Sequence, residues 1–175
     1  MPFLVNAVIF RSFDKVFLSS TYAPETLTLA AASANIDFYV KHNVIEAIWE
    51  KGLYMENGFT NVINKYDLHK NISLAGYAVR LMVNTHHDNG MQDPKLASLY
   101  QQEMFKNGAL CFSGVLMLSY SHSKDDLNIL IDAFDNTCSV IQKVLNSSKT
   151  IDEFLDCIPG APVFKGLREK NAVSN

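Results

Sequence analysis

The stretch that decides the fold is NISLAGYAVRLMVNTH, residues 71–86. It alternates apolar and small or polar residues with a period near two, and Gly76 interrupts it in the middle. That is the pattern of two short strands joined by a tight turn. The elements after it set the class. DNGMQDP, residues 88–94, is a loop rich in turn formers. Asp93-Pro94 then opens a helical run, KLASLYQQEMFKNG, which Asn107-Gly108 closes in the usual C-terminal position. ALCFSGVLMLSYS, residues 109–121, reads as one bent strand or a hairpin around Ser113-Gly114. Ser123 caps a long helix, KDDLNILIDAFDNTCSVIQKVLN, with Asp125 and Asp126 at its positive end and Lys143 at its negative end. Strand, strand, helix, strand, helix predicts an α+β unit with helices on one face of a small, mainly antiparallel sheet. A polar link, SSKT, leads to a short helix in IDEFLDCI and a loose terminus.

The residues before 71 read differently. FLVNAVIF (3–10) and KVFLS (15–19) are two short apolar strands. Pro24 suits the first turn of a helix. That helix runs to about Val40 and is smooth, with Ala30, Ala31, Ala32, Ser33 and Ala34 in a row, as tight helix packing requires. Asn43 caps a second run, VIEAIWEKGLYMENGFTNVINKY, with Val44, Ile45, Ile48, Trp49, Leu53 and Met55 at roughly helical spacing. Gly52 inside it bends the helix or admits a close neighbour. Two strands cannot stand alone as a sheet, so the first segment is expected to belong to a sheet whose other strands lie elsewhere.

The totals exclude several classes. The chain has 175 residues, 48% hydrophobic and 19% charged, with a formal net charge of −3 and no cluster of Lys and Arg. Binding to nucleic acid or an anionic membrane needs a basic face, which this composition lacks. No apolar run approaches the ~18 residues of a membrane span. MPFLVNAVIF has no basic leader or A-x-A site and is not read as a signal peptide. The three cysteines, Cys111, Cys138 and Cys157, are widely spaced and read as free thiols of a reducing, cytoplasmic compartment.

Few side chains suggest chemistry. His86, His87 and Asp88 are adjacent on one loop and seldom supply the three or four converging ligands a metal needs. His122, at a strand-to-helix turn, reads as a capping or packing residue. Glu25 complements the dipole of its helix, Cys111 belongs to the core, and Arg80 sits at an outward strand position. No metal site and no catalytic residue is assigned.

VFLSSTYAPETLTLAAASANIDF, residues 16–38, resembles a segment of the class III, fold-type I pyridoxal phosphate (PLP) aminotransferases, a group that includes glutamate-1-semialdehyde aminomutase-like proteins. MPFLVNAVIFR, VIEAIWEKGLYMENGF, LASLYQQEMFKNGAL and LSYSHSKDDLNILIDAF are similar to other segments of that family in the same order, over about residues 1–145. The resemblance implies that residues 1–23 are the last strands of a PLP-binding large domain. Residues 24–67 would be interdomain helices, 68–147 the C-terminal small domain and 148–175 a tail. It implies PLP as cofactor, small amino and carbonyl substrates, and a homodimer. Thr21, with Ser20 beside it, would reach the cofactor phosphate of the other subunit. A helix N-terminus with adjacent hydroxyls is suited to a phosphate. The family's cofactor-holding lysine would precede Met1, and Lys15 does not match it. The chain is therefore expected to correspond to the C-terminal part of such an enzyme and to be inactive alone. The alternative is a non-catalytic α+β binding or assembly module.

Overall fold

In the computed structural model, residues 25–111, 114–156 and 158–159 are described. The strands expected at 3–10 and 15–19 lie outside them, as do Phe112, Ser113, Cys157 and the terminus from residue 160. The chain divides into two compact units, Met1–Asn43 and Val44–Asn175.

In the first unit, helix α1 spans Thr26–Lys41, with Glu25 in the N-cap position. None of its residues is buried. The alanine run explains why the helix forms, since alanine has the best helix propensity. It also leaves α1 with little amphipathic contrast.

The second unit has α2 (Val44–Tyr66), β1 (Ile72–Tyr77), β2 (Arg80–Thr85), α3 (Pro94–Lys106), β3 (Val115–Met117) and α4 (Lys124–Leu145). A single 3₁₀ turn comes after them at Ile151–Phe154. The sheet has the order β1-β2-β3 and both pairings are antiparallel. The hairpin lies where the sequence put it: Gly76 has φ 92°, and Tyr77 pairs with Arg80. The third strand keeps only three residues, shorter than the 109–121 expectation. Gly114 (φ 75°) immediately precedes it, and the Gly114 carbonyl accepts from Val83 N at 2.9 Å. The helix expected in IDEFLDCI is a four-residue 3₁₀ turn, because Leu155 is already extended.

The core lies between one face of the sheet and the three helices. The sheet contributes Ile72, Leu81, Val83 and Leu116. α2 contributes Met55, Phe59, Val62 and Ile63, α3 Leu96, Leu99, Tyr100 and Met104, and α4 Phe134, Cys138 and Ile141. Phe59 and Phe134 stack with centroids 4.0 Å apart, and Tyr100 meets Phe134 edge-on at 6.2 Å. The core thus takes in α2, which the sequence assigned to the interdomain segment 24–67. Its C-terminal half carries an apolar stripe that α4 and the sheet cover. Gly52 admits a close neighbour: a Cβ there would lie 2.7 Å from the Ala78 carbonyl carbon and oxygen.

Helix ends agree closely with the sequence. Asp93 accepts from Lys95 N and Leu96 N, both at 3.0 Å, with Pro94 in the first turn. Ser123 and Asp126 form a reciprocal capping box. Asn43 differs from expectation. It takes a left-handed φ of 48° between α1 and α2, which asparagine tolerates better than most residues.

Candidate functional site

Ser20 and Thr21, the hydroxyls matched to a cofactor phosphate, lie outside the described residues. The nearest described group is Glu25. Its carboxylate accepts the Thr28 hydroxyl within the first turn of α1. The Glu25 side chain makes no capping bond to the backbone N–H groups of the first turn.

The histidine loop is a structural element. Nε2 of His86 lies 2.8 Å from the Ser73 hydroxyl, Nδ1 of His87 lies 3.0 Å from the Asp93 carboxylate, and Asp88 accepts from Asn71 Nδ2 at 3.2 Å. Each group faces a different partner, and among the described residues no cluster of three His, Cys, Asp or Glu converges as metal ligands do. His122 acts as a cap. Its Nδ1 accepts from Ser119 N at 3.1 Å, which holds the turn between β3 and α4. Arg80 is exposed on the outer face of the sheet, paired across the strands with Tyr77 and Met117.

The buried thiols are poor nucleophiles. Burial pushes Cys111 and, more strongly, Cys138 above the ordinary thiol range, which leaves little thiolate. Burial also pushes up the Tyr100 hydroxyl. Lys65 is raised by hydrogen bonding to Asp135, and Lys106 by Asp156 and Glu103. A nucleophilic amine needs the opposite shift.

Two surface features went unread in the sequence. The first is a cleft of about 270 Å³ lined by Gly108–Leu110, Val115–Leu118, His122, Asp126, Leu127, Ile129 and Leu130. It lies between the edge strand β3 and the first turns of α4. The second is an outward apolar patch on α2. Ile45, Trp49 and Leu53 are exposed, and Trp49 meets Tyr77 edge-on at 6.0 Å. Helical spacing marked these residues as apolar but could not say that Met55 turns inward while Ile45 and Leu53 turn outward.

No known protein-family pattern matches this chain, and no curated protein does. Its fold does recur in solved structures. The FumI protein of Sphingopyxis sp. MTA144, in its PLP internal aldimine form, is similar with a TM-score of 0.67 and 15% identity, over 81% of this chain and 33% of that one. An S-selective transaminase from Arthrobacter sp. with alanine bound has a TM-score of 0.64 and 19% identity, over 82% and 34%. An (S)-enantioselective omega-transaminase from Thermomicrobium roseum has 0.61 and 18%, over 77% and 32%. The chain therefore has the architecture of part of a transaminase fold, and it spans about a third of the length of these structures.

Proposed function

We propose that this chain is the C-terminal portion of a PLP-dependent class III aminotransferase or aminomutase, which moves an amino group between a small amino substrate and a carbonyl. The observation that supports this most is the recurrence of its fold, over about four-fifths of the chain, in transaminase structures roughly three times as long. The resemblance of residues 16–38 to the class III segment independently points the same way. When bound, PLP supplies the electron sink. This chain's share is positioning: Thr21 and Ser20 donate to the cofactor phosphate in a neighbouring subunit of a homodimer, and the α+β unit serves as the small domain.

On this reading residues 1–175 alone do not turn over, because the lysine that holds the cofactor belongs to the large domain. Purified 1–175 mixed with PLP and an amino donor should release no keto product, and turnover would overturn the division of labour. In the polypeptide that includes the large domain, Thr21→Ala should weaken PLP binding about tenfold, the value of one hydrogen bond to a charged group. An unchanged PLP affinity would remove Thr21 from the site.

A second reading has one observation in its favour. The unit Val44–Asn175 closes a core of its own, as a non-catalytic binding or assembly module would. A monodisperse 1–175 indifferent to PLP, with no large domain encoded upstream in frame, would favour it.

A further inference from the structure

We propose that the second unit pairs with a second copy of itself through one continuous surface, made of the outward stripe of α2 and the outer face of the sheet. The inference stands apart from the aminotransferase reading, because it uses only residues of the second unit.

Ile45, Trp49 and Leu53 recur every four residues and so share one side of α2. Trp49 meets Tyr77 edge-on at 6.0 Å. Tyr77 pairs across the strands with Arg80, and Arg80 with Met117. Helix stripe and sheet face are therefore one surface. Its five apolar side chains are between 40% and 72% exposed. An antiparallel sheet that meets water on one side normally puts polar residues there. Toward the hairpin end, this outer face instead holds Ala75, Tyr77, Met82, Val115 and Met117, with Arg80 as its one charge. The five side chains open on the order of 450 Å² of apolar surface, the size at which a patch marks an interaction site. Each partner of a stable complex covers ~800 Å², so the polar rim takes part.

The rim identifies the occupant. Glu46 and Glu50 are exposed beside Ile45 and Trp49 on α2, and Arg80 lies on the sheet beyond Tyr77. None of the three has an ion-pair partner among the described residues. The neighbouring Lys51 is engaged elsewhere, donating to the Tyr120 carbonyl at 2.5 Å. The surface thus carries uncompensated acid on its helix side and an uncompensated base on its sheet side. A two-fold axis between them, near Tyr77, sets α2 of each copy against the sheet of the other. Arg80 of each copy then meets Glu46 and Glu50 of the other, twice over. That is the self-complementarity an isologous interface requires. A partner of one charge sign would satisfy only one side.

The test is sedimentation equilibrium on the full chain carrying Leu27→Glu and Val40→Glu, which takes the apolar residues of α1 out of the measurement. This chain should dimerise. Arg80→Glu, and separately Glu46→Arg with Glu50→Arg, should each weaken the dimer about tenfold or more, because like charges then face each other. Mixed one to one, the two variants should recover to within about threefold of the unaltered charges, since both contacts are complementary again. A chain that stays monomeric with its charges intact, or a mixture no tighter than its components, would overturn the proposal. A second measurement needs no charge variant. Trp49 is the only tryptophan, so its fluorescence reports on the surface directly. Dilution through the dissociation range should shift its emission to the red and raise iodide quenching about twofold as water regains the patch. Equal quenching in dimer and monomer would place the contact on another face and overturn the proposal.

Discussion

At the scale of single residues, two glycines carry the packing of the sheet against its neighbours. Gly52 lets α2 touch the Ala78 backbone, and Gly114 lets the chain enter β3 at φ 75° beneath the Val83 carbonyl, which an added Cβ would approach to 2.3 Å. Gly52→Ala therefore forces α2 away from the hairpin and should destabilise the fold by about 1–3 kcal/mol, read by urea denaturation. A neutral effect would mean that the Ala78 turn yields freely. Gly52 was legible in the sequence as either a bend or a close approach, and only the position of Ala78 decides between them. Phe134 was less legible. As one apolar residue among many in its helix, it gave no sign that it would stack on Phe59, 75 positions earlier. Phe134→Ala should cost about 3–5 kcal/mol, and a small cost would show that the core collapses around the gap.

At the scale of elements, local chemistry predicted helix ends better than strand lengths. Asp93-Pro94 and Ser123-x-x-Asp126 each satisfy free N–H groups within a few residues, so they can be read from a short window. β3 depends instead on what its partner offers. Its register is set by pairing Arg80 with Met117 and Met82 with Val115, which no local pattern contains. The Ser123–Asp126 box makes a prediction about acid. The carboxylate's pKa is lowered in the folded chain, first by the Ser123 backbone N–H and then by its hydroxyl. Its contribution to stability is present above the unfolded value, about 3.9, and is lost as pH falls through the folded one. The stability gap between the wild-type chain and Asp126→Asn should be widest near neutrality and close below about pH 4. A gap independent of pH would show that the box acts through shape and not charge. Ser123→Ala should cost about 1 kcal/mol as a lost cap.

At the scale of the whole molecule, the burial pattern separates two kinds of surface. The second unit completes a core with all three of its helices and one sheet face, whereas α1 leaves Leu27, Ile36, Phe38 and Val40 at 42% exposure or more and buries nothing. The α+β class was readable from residue 71 onward because each element there has its own period and its own stop. The limits of that unit were not, because α2 carries apolar residues on two faces and its period cannot say which face the sheet takes. In the structure the unit begins at Val44. The transaminases that share the fold are about three times as long as this chain, so a polypeptide of that length would have surface available to meet α1. Residues 44–175 should therefore fold without residues 1–43. A protein made from that segment should keep its helical circular dichroism and unfold in one cooperative step, with a midpoint within a few degrees of the longer chain's. The longer chain, with α1 open to water, should self-associate more strongly by sedimentation, and Leu27→Glu with Val40→Glu should weaken that association. If 44–175 instead proves molten, the first unit is a required part of the core. The packing of Phe59, Tyr100 and Phe134 would then be held from outside the second unit.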